Sequence, residues 1–132
     1  MSERGAARHL ARERALELAY EGEIKSLSMS EVLGAQSMEP DPYTVILVTA
    51  FDENRTWAEG LVAKNSTEWP LDRLAIVDRL IMTLALCELR LEEPPPVAVV
   101  LDEAVELAKI YSSDNSPSFV NGVLSACVKE MD

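Results

Sequence analysis

Apolar residues recur at intervals of three and four along almost the whole chain. Ala7, Leu10, Ala11, Ala15, Leu18 and Ala19 fall on one stripe, which predicts a first helix over about residues 6–27. Ser28-Met29-Ser30-Glu31 has the form of a helix cap and predicts a short helix to about Ser37, closed off by Pro40-Asp41-Pro42. Tyr43, Ile46, Leu47, Ala50 and Phe51 make the next face, and Trp57, Leu61 and Val62 extend it beyond the polar Asp52-Glu53-Asn54. That interruption predicts either two short helices or one bent one. Ser66-Thr67-Glu68-Trp69-Pro70 is the clearest linker. After it, Leu74, Val77, Leu80, Ile81, Leu84, Ala85, Leu86 and Leu89 leave few polar positions, and a helix apolar nearly all round belongs at the centre of a bundle.

Glu92-Glu93-Pro94-Pro95-Pro96 cannot continue that helix, because successive prolines remove donors and force extended geometry. Val97, Val100, Leu101, Ala104, Ala108 and Tyr111 then give a stripe of helical period, with Asp102, Glu103, Glu106 and Lys109 on the outer faces. Residues 112–116 read as a loop. A last helix is expected from about Pro117, with Phe119, Val120, Val123, Leu124, Cys127 and Val128 inward and Gly122 permitting close approach of a neighbour. No segment alternates in the manner of a strand, so the fold class is all-α.

Length and composition make this one compact domain or two tightly fused halves: 132 residues, 48% of them hydrophobic, suffice for a core without a disulfide or metal staple. No apolar run approaches the ~18 residues a membrane helix needs, and the first fifteen residues lack the apolar stretch of a signal peptide, so a cytoplasmic location is expected. Cys87 and Cys127 lie in apolar surroundings and read as small core residues. The net charge is −11, unevenly spread. Residues 1–14 carry Arg4, Arg8, Arg12 and Arg14 against Glu3 and Glu13, a net +2, which leaves −13 on the remainder. A basic arm on an acidic body suits a localised contact with an anion, although arginines opening a helix are commonly just solvated. Arg8 and Arg12 are four apart with His9 beside them, so the arm is able to present a small cationic patch.

Catalytic chemistry has little to start from. There is one histidine, no Cys-x-x-Cys, no His-Glu-x-x-His and no glycine-rich phosphate loop, so neither a metal site nor a cofactor is expected. The carboxylate pairs Glu17/Glu21 and Asp102/Glu106 sit among solvated charges, where nothing lifts a pKa toward that of a general acid. Binding is what remains.

The order of motifs is more informative than the composition. Ala11-Arg-Glu-Arg-Ala-Leu-Glu-Leu-Ala-Tyr20, Trp69-Pro-Leu-Asp-Arg-Leu-Ala-Ile-Val-Asp-Arg79, Leu84-Ala-Leu-Cys-Glu-Leu89, Pro96 leading into Asp102-Glu-Ala-Val-Glu-Leu-Ala-Lys109, and Ser116-Pro-Ser-Phe-Val-Asn-Gly-Val-Leu124 succeed one another over nearly the whole chain. In this the chain resembles the NusB family of bacterial transcription antitermination factors. The resemblance implies a NusB-like fold of about six to seven helices in two small packed helical bundles, about residues 1–65 and 66–132. It implies pairing with NusE, a small-subunit ribosomal protein, and binding of boxA RNA in nascent ribosomal RNA transcripts within the RNA polymerase antitermination complex. Carried over by position, the implied RNA contacts are Arg4, Arg8, His9 and Arg12 on the arm, and Asn115, Ser118 and Phe119 around the start of the last helix.

These are suitable residue types. Arginine offers forked donors, histidine can stack or donate, and an exposed phenylalanine offers a face to an unstacked base. Phe119 also suits an inward core position. Asp78 matches a family position facing NusE, with Arg79 beside it; the alternative is that Asp78 pairs with Arg79 or caps its helix. Several positions depart from the family pattern: Leu10 and Ala11 interrupt a commonly denser arginine run, Ser118 stands where a lysine is common, and Cys87 replaces a frequent aromatic. Fewer cations predict weaker and less salt-dependent RNA binding, which a basic partner would restore. The alternative function is a protein-interaction module that binds the ribosomal protein, or forms a homodimer, without gripping RNA.

Overall fold

A computed structural model describes residues 2–67, 70 and 73–131. The Trp69-Pro-Leu-Asp72 part of the linker motif therefore falls largely outside the described residues. Six helices make up the described chain: α1 (Glu3–Lys25), α2 (Met29–Gly34), α3 (Pro42–Asn65), α4 (Ile76–Leu89), α5 (Val97–Tyr111) and α6 (Ser116–Glu130). No strand occurs among the described residues.

Local chemistry sets the boundaries. The Ser2 hydroxyl accepts from the Gly5 amide and starts α1, and Ser26 at φ 58° ends it in the left-handed region. The chain then folds back so closely that the Leu27 amide donates to the Gly22 carbonyl, and a Cβ at Gly22 would lie 2.8 Å from the Leu27 carbonyl oxygen. Ser28 and Glu31 form the expected capping box of α2. Asp41 and Pro42 open α3, the Asp41 carboxylate accepting from the Tyr43 and Thr44 amides.

Between the two readings offered by Asp52-Glu53-Asn54, the structure shows a single continuous helix. The polar triplet does not interrupt it, because Asp52 and Glu53 lie on its outer face. Asp52 is used instead by the neighbouring element, accepting from the Met29 and Ser30 amides and the Ser30 hydroxyl at the start of α2. Asn54 is satisfied by its own helix, donating to the Ala50 carbonyl at 2.9 Å.

Helix α4 is central, packed against α1, α3, α5 and α6, and every residue from Leu80 to Leu89 is buried. Phe51, Leu80, Ile81, Met82, Leu86 and Leu124 are among the large side chains enclosed in one continuous cluster that takes in residues of all six helices. Cys87 and Cys127 are buried and unbridged within it. Burial pushes their thiols up to about 12 and about 11 respectively, so neither supplies a thiolate near neutrality.

Several expectations need correction: Ala7, Ile46 and Val97, placed on the apolar stripes of α1, α3 and α5, are exposed. Leu10 is not a core residue but stands 64% exposed, on a face of α1 that borders an open groove with Leu33 and Met38. Tyr111 is likewise exposed, at the end of α5. Gly122 makes no close approach, since a Cβ there would meet nothing within 4 Å; the tight glycine is Gly22.

The carboxy-terminal end of α1 is tied down by ion pairs. Glu23 accepts from Arg55 of α3 at 2.6 Å and from Arg79 of α4, while Glu59 accepts from the same two arginines at 3.3 and 2.9 Å. Burial acts to raise the Glu23 carboxyl, but the two guanidinium hydrogen bonds and their charge outweigh it and hold the group below its ordinary 4.5. A carboxyl depressed on folding adds stability above that ordinary value and loses it as pH falls through the lower, folded one. Acid titration of unfolding is therefore expected to show a stability loss below pH 4.5 that Glu23→Gln reduces. Gly22→Ala is expected to destabilise by about 1–3 kcal/mol in urea unfolding, since the α1–α2 turn must shift to admit a methyl group.

Candidate nucleic-acid interface

Arg4, Arg8 and Arg12 are spaced by four and run down one face of α1. That face looks across a groove of about 650 Å³ toward Pro94, Pro95, Pro96 and Val99, with Glu93, Asp102, Glu103 and Glu106 on the same far wall. The three arginines meet different surroundings along it. Arg4 is exposed, and no carboxylate among the described residues pairs with it or with Arg8. The Arg8 guanidinium lies 4.6 Å from the centroid of the Tyr43 ring.

Arg12 is one turn further along and inside the protein, 6% exposed. Its Nε donates to Glu88 Oε1 at 2.9 Å and its Nη2 to Glu88 Oε2 at 2.7 Å, a forked pair with a carboxylate that is itself only 2% exposed. Its Nη1 donates to Glu103 Oε1 at 2.9 Å. The Tyr43 hydroxyl completes the cluster by donating to Glu88 Oε2 at 2.6 Å. Burial alone would lower the Arg12 pKa, but the Glu88 hydrogen bonds and the charges of Glu88 and Glu103 raise it, so the guanidinium stays charged. Burial and donation to Glu88 likewise push the Tyr43 phenol up. Arg12 thus joins α1 to α4 and α5, and its donors face inward.

His9 is drawn into the same system, its Nδ1 2.9 Å from Glu103 Oε2 and its Nε2 3.5 Å from Glu13 Oε1. A carboxylate only accepts, so the Nδ1 bond places a proton on that nitrogen. The expected cationic patch is therefore narrower than the spacing suggested: Arg4 and Arg8 face the groove, while carboxylates engage Arg12 and His9. Glu103 does not sit on an outer face as expected but turns toward α1, because two basic side chains meet it there.

Of the later candidates, Asn115 and Phe119 line a second groove, of about 350 Å³, which shares no lining residue with the first. Asn115 precedes α6 with no side-chain capping bond, and Phe119 is half-buried against the core beside it. Ser118 is exposed on the same first turn but does not line this groove. Asp78, 7% exposed, reaches the groove from the start of α4, with Arg73 and Leu74 alongside. Its carboxylate accepts from the Ser112 and Ser116 hydroxyls at 2.6 and 2.9 Å, fastening the α5–α6 turn to α4. It neither pairs with Arg79 nor caps α4. The Arg79 side chain is 12% exposed and is held by Glu23 and Glu59.

Three residues of the arm's setting escaped the sequence reading: Tyr43, Glu88 and the inward role of Glu103. One signal was available for Glu88, a lone carboxylate within Leu84-Ala-Leu-Cys-Glu-Leu89, since a charge in a helix apolar all round requires a buried partner. Arg12→Ala is expected to cost about 3–5 kcal/mol in urea unfolding, because it leaves Glu88 buried and unpaired. Arg8→Ala is expected to cost about 0.5–1 kcal/mol, the scale of one exposed ring contact.

No helix among the described residues is long and apolar enough to cross a membrane, and no group of His, Cys, Asp and Glu among them is arranged to hold a metal ion. Residues 9–129 match the NusB family. The transcription antitermination protein NusB of Thermobifida fusca (strain YX) is 38% identical over 133 aligned positions, covering 98% of this chain and 94% of the relative. NusB of T. maritima has a similar structure, with a TM-score of 0.83 at 29% identity over 93% of this chain and 91% of that one. A structure of the antitermination factors NusB and NusE in complex with double-stranded RNA gives a TM-score of 0.79 at 25% identity, over 97% of this chain and 98% of that one. By this extent of match, the chain belongs to the NusB family, as does the transcription antitermination protein it resembles.

Proposed function

We propose that this chain acts in the cytoplasm as a transcription antitermination factor that binds the boxA segment of ribosomal RNA transcripts together with NusE, within the RNA polymerase antitermination complex. The observation that carries the reading is the amino-terminal arm: Arg4 and Arg8 reach the groove without a carboxylate partner, on a protein whose remaining surface is strongly acidic. Free guanidinium groups on such a body concentrate attraction for phosphate in one place. The complex that a structurally similar NusB forms with NusE and RNA supports the same pairing of partners here.

An acidic body repels RNA elsewhere, and two of the arm's basic side chains are already engaged by carboxylates. The isolated chain is therefore a weak RNA binder, and a basic ribosomal protein contributes the missing cations. Asn115, Ser118 and Phe119 extend the RNA surface at the start of α6, the half-buried Phe119 offering its open edge to a base. Asp78 and Arg79 serve the NusE surface by fixing the geometry of the first turn of α4. The second reading, a module that binds the ribosomal protein without RNA, draws on that same shortage of free cations.

Binding of a labelled boxA-type RNA, measured with the chain alone and with purified NusE at two salt concentrations, separates the two. Tight, salt-sensitive binding only with NusE is the expected result. Arg4→Ala and Arg8→Ala should each weaken it and each reduce the slope of log affinity against log salt by roughly 0.7, the contribution of one single-strand phosphate contact. NusE binding without RNA at either salt supports the interaction module.

A further inference from the structure

We propose that Tyr43 is a positioning residue for RNA binding, its ring serving as the platform that holds the Arg8 guanidinium ready at the groove. The inference rests on the reading that RNA meets the arm. Tyr43 itself does not line the groove; it acts through Arg8.

The platform is fixed from two sides. On the backbone side, Tyr43 opens α3, where its amide donates to the Asp41 carboxylate at 3.0 Å. At the ring's far end, its hydroxyl donates to Glu88, which is buried and locked by the fork of Arg12. A ring held at both ends presents one face in one place. Hydrogen bonding of the phenol to a carboxylate also enriches the ring in electron density, which strengthens its hold on a cation.

Arg8 lies 4.6 Å from that ring's centroid and makes no ion pair among the described residues. The ring contact restrains the Arg8 guanidinium, which donates to no protein acceptor among the described residues, so its donors are available to phosphate or to a base edge. A side chain ordered before binding loses less freedom on binding. Arg12 is also near the ring, at 6.0 Å, but its donors are committed to Glu88 and Glu103. Of the two arginines, Arg8 is the one left without an ion pair among the described residues.

The test is a double-substitution cycle on RNA affinity with NusE present, using Arg8→Ala, Tyr43→Leu and the two together. Tyr43→Leu is expected to weaken binding roughly two- to fivefold, the loss corresponding to one ring–cation contact, and to add nothing in the Arg8→Ala background. Tyr43→Phe keeps the ring and loses the Glu88 bond that fixes its far end, so it should lower folding stability as much as or more than it affects RNA affinity, and weaken RNA binding less than Tyr43→Leu does, an order that a purely structural role does not produce. Unchanged affinity in Tyr43→Leu, or a full additional loss in the double variant, overturns the inference while leaving the antitermination reading in place. Failure of the unsubstituted chain with NusE to bind RNA overturns both. Should Tyr43→Leu not fold, the Arg8 side-chain proton resonances decide: ring-current shifts in the unsubstituted chain and in Tyr43→Phe are expected, and unshifted resonances contradict the platform.

Discussion

The position of the amino-terminal arm depends on a guanidinium enclosed by two carboxylates and a phenol. Burying Arg12 and Glu88 separately would be costly, and only a forked pair with its remaining lone pairs satisfied makes the burial tolerable. The cluster meets that condition, since Glu88 accepts from Arg12 and Tyr43, and Glu103 accepts from Arg12 and engages His9. Such a cluster contributes less net stability than an apolar contact of equal size, but it admits one geometry, because any slip of α1 along α4 strands a charge. Its consequence is directional: with Arg12 fastened inward, Arg8 one turn earlier is left at the rim and Arg4 beyond it in solvent.

A second set of ion pairs makes the same point at the other end of α1. Arg12 pairs with Glu88 near the end of α4, and Glu23 pairs with Arg79 near its beginning. The two helices must therefore run antiparallel, with eleven residues of α1 spanning nine of α4, about 16 and 14 Å respectively. Apolar packing of Ala15, Leu18 and Ala19 supplies the adhesion between these points, and the charged pairs set the register. Two of the chain's arginines that resembled surface chemistry are thereby accounted for as structure.

Much of the fold was legible in periodicity, because a half-exposed helix must repeat its apolar face every three or four residues. The central placement of α4 followed from Leu80, Ile81, Leu84 and Leu86 filling all its faces, and the capping box at Ser28 lies where the residue types placed it. What was not legible depended on partners distant in sequence. Asp52-Glu53-Asn54 reads as an interruption until Asp52 is seen to accept from the Met29 and Ser30 amides that open α2. Arg8 and Arg12 are indistinguishable by spacing, and only the approach of Glu88, 76 positions away from Arg12, turns one inward. The same holds for Asp78, whose serine partners arrive from a turn more than thirty residues later. Family resemblance pointed to Arg8, Arg12 and Asp78, and the structure shows which of these charges are engaged within the fold.

That division of labour within the arm is the central claim, and the side-chain Nε–H signals of the arginines test it most directly. In the free protein the Arg12 signal should be protected from exchange by its bond to buried Glu88, and the Arg8 signal should exchange freely. On addition of boxA-type RNA with NusE, the Arg8 signal should shift and the Arg12 signal should stay in place. An exposed, rapidly exchanging Arg12 that shifts with RNA while Arg8 remains unmoved would contradict the account.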